Sequence, residues 1–175
     1  MGGMIAMELA RLHPDLVDRL VLVATAASNS TRNNLLFQDW ADWYEAGSNR
    51  AAWFRTVLYW ILTEHFFEDQ ALLDASLDYL LQYPWPQSPQ GFRKQIEAIA
   101  GFDATPWVEN LMVPTCVLAG ESDLLMPPEC SAALARQLPN ARLQIVKGAA
   151  HSVQTEQPEA FVKTVLEFLG GQSNG

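Results

Sequence analysis

The sequence predicts an α/β fold: three parallel strands with flanking helices, interrupted by one all-helical insertion. Three observations predict it. Short apolar runs alternate with helical patterns at both ends of the chain. Two of those runs close on loops rich in glycine and polar residues. Between the first run and the second lies a long stretch, 33–101, with helical periodicity only. Strands separated by helices argue for a parallel sheet, because parallel partners need a crossover that a helix supplies.

Ile5, Leu9 and Leu12 at helical spacing predict a helix over 2–12. Gly2 and Gly3 permit close backbone approach at its start, and His13-Pro14 ends it. Asp18 to Thr25 is an apolar run that reads as a buried parallel strand. The insertion follows, with helical patterns at about 35–46, 50–63 and 68–82 and five of the six tryptophans (Trp40, Trp43, Trp53, Trp60, Trp85). Tyr83-Pro84-Trp85-Pro86 breaks it. Ser88 then caps a last helix with Pro89 at its first position, closing at Gly101. After Val113-Pro114 the α/β rhythm resumes. A strand is expected at Thr115–Ala119, a loop at Gly120–Met126 and a helix at Pro128–Leu138. A strand at Ala141–Val146, a loop at Lys147–His151 and a helix at Pro158–Leu169 complete it. That last helix carries Phe161, Val165 and Phe168 on one face, and 170–175 is expected to fray. The organisation is thus a core of 1–32 and 102–175 with a helical cap at 33–101.

Composition excludes several functions. A chain of 175 residues, nearly half of them apolar, buries a real core. Net charge is −9, from 11 basic and 20 acidic residues. Phosphate backbones and anionic membranes need a basic surface, so neither nucleic acid nor membrane is an expected partner. Met1-Gly2-Gly3 has no basic n-region, and Ala6 breaks the myristoylation pattern. A reduced, cytoplasmic protein is expected. Of its two cysteines, Cys116 lies in a strand and should serve packing.

Chemistry concentrates in two loops, each just after a strand, where open α/β sheets place their ligands. The first is Gly120-Glu121-Ser122-Asp123-Leu124-Leu125-Met126-Pro127; the second is Gly148-Ala149-Ala150-His151, followed by Gln157-Pro158-Glu159-Ala160-Phe161. A carboxylate that accepts the Nδ1 proton fixes an imidazole's tautomer, and the other ring nitrogen then takes a proton from a nucleophile or water. Read alone, Asp123 also suits a turn cap and His151 a satisfied loop histidine.

Together these loops, the Met1-Gly2-Gly3 helix start and the helical insertion resemble the second half of an α/β-hydrolase, in particular the capped esterases and enol-lactonases. That family's nucleophile elbow reads Gly-x-Ser-x-Gly, and its triad runs Ser, acid, His along the chain. Met1-Gly2 matches the elbow's last two positions, so the resemblance implies a chain that begins just after the serine. It also implies Asp123 as orienting acid, His151 as general base and the backbone N–H of Met1, beside Gly2, as an oxyanion donor. Met126, Trp60 and Trp85 are expected at an apolar substrate pocket under the cap. The family needs no cofactor.

Several functions remain open. The first is a hydrolase of ester-type bonds (carboxylic ester, lactone or phosphoester) that uses water activated by His151 and Asp123 in place of serine. A divalent metal such as zinc, on a set drawn from His151, Asp123, Glu121 and His65, is an alternative source of that water. The α-amine of Met1, at a helix N-terminus, is another candidate group. Ser122 fails as a nucleophile, since Leu124 stands where an elbow needs glycine. A non-catalytic, self-associating module and a fragment of a full-length serine esterase are the other readings. The expected partners are a small ester substrate and a second copy of the chain. The Asp18–Thr25 strand would lack a neighbour and pair across a two-fold axis, giving a homodimer through residues 1–25.

Overall fold

A computed structural model describes residues 1–170. The expected tail therefore lies outside the described residues except for Gly170, which closes the last helix. Three parallel strands form one sheet in the order β1 (Leu20–Val23), β2 (Thr115–Gly120), β3 (Ala141–Val146). Leu20 to Val23 stand beside Thr115 to Leu118, and Thr115 to Gly120 beside Ala141 to Val146. The middle strand is buried at every residue, Cys116 included, whereas β1 alternates between buried and half-buried. Among the described residues β1 has a strand partner on one side only.

Helix α1 (Gly2–Leu12) precedes β1 and buries Met4, Met7 and Ala10. Met7 and Ala10 pack with Leu20, Leu22, Val117 and Leu134 in the main core. The stripe of Ile5, Leu9 and Leu12 lies on the outer side of the helix and is exposed. Helix α1 is therefore apolar on two faces and only one is covered.

The cap consists of α2 (Thr31–Glu45), α3 (Arg50–Ile61), α4 (Glu64–Glu68), α5 (Gln70–Gln82) and α6 (Pro89–Ala100). Helix α2 starts four residues earlier than its apolar pattern suggests. The reason is Ser30, whose Oγ accepts the Asn33 N–H as an N-cap ahead of the first apolar residue. Helix α3 ends at Leu62, which is extended, so α4 is a separate short helix. Trp40, Trp53 and Trp60 build the cap's own core, whereas Trp43 and Trp85 are exposed. Trp53 Nε1–H donates to the Trp40 carbonyl at 2.7 Å, and Tyr44 stacks on Trp53 at 4.7 Å. Leu125, from the loop after β2, belongs to the same cluster and joins the cap to the core.

The remaining elements are α7 (Pro128–Gln137), the short α8 (Val153–Glu156) and α9 (Pro158–Gly170). Helix α8 was not apparent in the sequence pattern; fully buried Val153 anchors it against Leu118, Val146 and Ala149. Among the described residues no helix is long and apolar enough to cross a membrane.

Candidate active site

The loops after β2 and β3 are sewn together by backbone. Glu121 N–H donates to the Val146 carbonyl and Ser122 N–H to the Ala149 carbonyl, both at 2.9 Å. This closeness depends on Gly120. A Cβ there would stand 2.5 Å from the Ala149 oxygen and overlap the Ala150 oxygen. Gly148 has φ of +66°, the left-handed region that glycine enters without strain.

The turn after Gly120 places Asp123 beneath the loops. Its side chain is fully buried and its carboxylate has three partners. Oδ1 accepts the N–H groups of Leu125 and Met126 at 2.9 and 2.8 Å. Oδ2 lies 2.9 Å from Nδ1 of His151. An ionised carboxylate only accepts, so it selects the tautomer with the proton on Nδ1, in which the neutral ring has its lone pair on Nε2. The His151 side chain is 28% exposed. It lines a cavity of about 320 Å³ with Met1, with Gly2 and Gly3 at the start of α1, with Val23 at the end of β1 and with Ala24 and Thr25 just after it. The N-terminus of α1 thus lines the same cavity as His151, and a helix N-terminus carries partial positive charge. Burial also lowers the pKa of the Met1 α-amine below its ordinary value.

Asp123 is thus in contact with His151, and His151 shares one cavity with Met1 and Gly2. A family profile described as the alpha/beta hydrolase fold matches residues 1–158. The chain belongs to the α/β-hydrolase family. Among its relatives is RutD of Caulobacter sp. (strain K31), provisionally named a carbamate hydrolase. The two are 30% identical over 173 residues, which cover 98% of this chain and 63% of RutD. A methyl ester esterase of Neisseria meningitidis, named for pimeloyl-[acyl-carrier protein], is 25% identical over 183 residues, covering 98% of this chain and 67% of that protein. The enol-lactonase of Burkholderia xenovorans LB400 superposes with a TM-score of 0.84 at 27% identity, covering 97% of this chain and 63% of that one. The chain therefore spans less than two-thirds of the length of RutD and of the lactonase.

The other expected site residues divide. Met126 is buried at the site and gives its N–H to Asp123. Trp60 is half-buried in the cap core, with the Arg32 guanidinium 5.4 Å from its ring centre. Trp85 does not join them. Held between Pro84 and Pro86, it is 77% exposed and lines a separate cavity with Tyr44, Arg50 and Trp53. The alternative metal set does not gather either. Glu121 is exposed, and His65 is an exposed side chain whose Nδ1 lies 2.8 Å from Glu68. Asp123 and His151 turn their facing atoms to each other. Among the described residues no three His, Cys, Asp or Glu side chains form a metal-binding group. Cys130 is a poor nucleophile, because burial and then the nearby Glu129 and Asp123 charges push its thiol pKa up. A literal Gly-x-Ser-x-Gly does occur at 171–175, outside the described residues and after the base rather than before the acid.

Two supports were invisible in the sequence. Asn33, 2% exposed, donates from Nδ2 to the Leu125 carbonyl at 2.6 Å and so ties α2 to the acid loop. Arg32 donates to the Leu124 carbonyl at 2.9 Å. Both read locally as ordinary polar positions of a helix's first turn, and only tertiary packing gives them partners.

Proposed function

We propose that this chain acts in the hydrolysis of an ester-type bond, with His151 as general base and Asp123 as the group that orients it. The observation that carries this reading is the 2.9 Å contact between His151 and an Asp123 carboxylate whose other oxygen is already held by two backbone N–H groups. Such a carboxylate has one free task, to hold Nδ1–H. Nε2 then draws a proton from a water in the cavity as the water oxygen attacks the carbonyl or phosphoryl centre; the bond to the leaving alkoxide then breaks, and the His151 imidazolium gives that proton to it. The N-terminus of α1 at Met1–Gly2 stabilises the negative charge that develops on the substrate oxygen. The substrates are carboxylic esters, lactones or phosphoesters, and Met126 and Trp60 contribute to the apolar side of their site. The hydrolase and esterase names of the relatives support the bond class. The water mechanism rests on the residues alone.

The test is turnover of an activated carboxylic ester and a phosphotriester by the unsubstituted chain, H151A and S173A, each before and after chelation. H151A is expected to lower kcat/KM by about 10²–10⁴, while S173A and chelation leave it unchanged. Full activity in H151A overturns the reading. A loss on chelation transfers the activation of water to a metal. Labelling of a serine by a fluorophosphonate replaces water with a serine nucleophile on the same acid–base pair.

A second reading, a self-associating module, is favoured by the side of β1 that has no strand partner among the described residues and by the exposed apolar face of α1. A second copy meeting residues 1–25 would cover both. A monodisperse monomer by light scattering at micromolar concentration removes it.

A further inference from the structure

Glu156, at the end of α8, is a half-buried carboxylate that takes no part in the chemistry proposed above. Its two oxygens serve two different parts of the molecule. Oε2 accepts the backbone N–H of Ala150 at 2.7 Å, and Ala150 is the residue before His151. Oε1 accepts both the backbone N–H and the hydroxyl of Thr63, each at 2.7 Å. Thr63 stands at the N-cap of α4 in the cap, yet its side chain makes no capping bond there. Its hydroxyl goes to Glu156 instead. On the other side of the histidine, Ser152 N–H donates to the carbonyl of Ile61, the last residue of α3, at 3.0 Å. The base loop is thus bonded to one short stretch of the cap on both sides of His151. Below, Val153 fixes α8 to the sheet.

Resting on the reading of His151 as the base, we propose that Glu156 is a positioning residue that sets the His151 ring through the Ala150 peptide and makes the placement of the cap at Thr63 felt at that ring. The physical reason is the sharing of one rigid carboxylate. Hydrogen bonds to an ionised acceptor are short and strong, so a shift of Thr63 drags both oxygens. The Ala150 N–H follows, and with it the backbone of the residue that precedes His151. A misplacement of even about 1 Å at a reacting group costs on the order of 10²-fold in rate.

The test compares E156A, E156Q and T63V with the unsubstituted chain. The amide introduced in E156Q has one acceptor oxygen and cannot accept on both arms, so an N–H faces either the Ala150 N–H or the Thr63 N–H; E156A removes both acceptors. T63V removes only the hydroxyl bond on the cap arm. The main readout is the Nδ1 proton of ¹⁵N-labelled His151, whose exchange with solvent reports the bond to Asp123. Thermal melting establishes that each variant is folded. Exchange is expected to quicken by about tenfold or more in E156A, which loses the charge-assisted bond to Ala150, and less in T63V. Ester turnover should fall in kcat with KM changed less than about twofold for E156A, as expected when an interaction made in the transition state is lost. E156Q is expected to lie between E156A and the unsubstituted chain at His151 and to melt above E156A. A folded E156A with the unsubstituted resonance and exchange rate overturns the proposal, whether or not the chain turns over esters. Full activity in H151A instead sinks the functional reading, and the resonance data then stand on their own.

Discussion

At the end of β2, backbone and side chains leave nothing slack. Asp123 has three partners, Gly120 admits no side chain, and Glu156, Asn33 and Ser152 tie the loops after β2 and β3 to the cap. At the end of β1 the same sheet is open. Among the described residues one side of the strand is unpaired, the cavity beside it holds about 320 Å³, and Ile5, Leu9 and Leu12 stand exposed on the adjacent helix. The difference teaches where specificity of geometry resides. Asp123 and His151 are held by bonds among the described residues, while β1 beside the cavity has a described strand partner on one side only.

The largest effect that sharpens this contrast is D123N. An amide in place of the carboxylate presents N–H to Nδ1 and selects the wrong histidine tautomer. The expected loss in kcat is about 10⁴-fold, with the fold retained by circular dichroism. A loss below about tenfold, far short of what a wrong tautomer costs, would mean that the tight corner is structural and that catalysis sits elsewhere.

G120V is next. Its Cβ meets backbone carbonyls rather than the end of a flexible side chain, so nothing nearby yields cheaply. The expected cost is about 3 kcal/mol or more, read as a melting-point drop of at least about 6 °C for a chain of this size. Unchanged melting would show that the two loops separate freely, against the contrast.

Much of the tight corner was legible because its logic is local. Gly120 and Asp123 after one apolar run, and Gly148 and His151 after the next, place acid and base at adjacent strand ends once the sheet is parallel. The parallel order was legible for the same reason, since helices separate the runs. What escaped was non-local. Asn33, Thr63 and Glu156 are polar residues in or beside helix turns, and no spacing announces the distant partners that each one finds. Trp85 failed in the other direction. Its residue type suited a pocket, but the flanking prolines hold it at the outer end of the cap. Helix α1 was legible as a helix, yet two apolar faces compete in its sequence, and periodicity alone did not say that Met4, Met7 and Ala10 would win the core.

The open corner makes its own prediction through those two faces. In I5K/L9K both changes fall on exposed positions of α1, so stability should move by no more than about 0.5 kcal/mol. Self-association, followed by light scattering over a concentration series, should be lost. If association persists, another surface carries it. If both lysines unfold the chain, the outer face of α1 is covered in the native assembly far more extensively than a dimer edge requires.

The smallest effect places the two strand ends side by side. Ala24, just past β1, has φ of +48°, while its N–H still donates to the Leu118 carbonyl at 2.8 Å. A non-glycine residue in that region carries strain of about 1 kcal/mol. In A24G the strain is relieved, but a buried methyl worth about 0.8 kcal/mol is lost, and the unfolded chain gains freedom worth about 0.5–1 kcal/mol. These terms nearly cancel, so the melting temperature should move by no more than about 2–4 °C. At the end of β2 the reverse exchange, glycine to a larger residue, is expected to be severe. A24G destabilising as much as G120V would mean that the methyl of Ala24 is gripped from all sides. The end of β1 would then be as tightly built as the end of β2, and the cavity beside it would be filled in solution by an occupant that the described residues do not include.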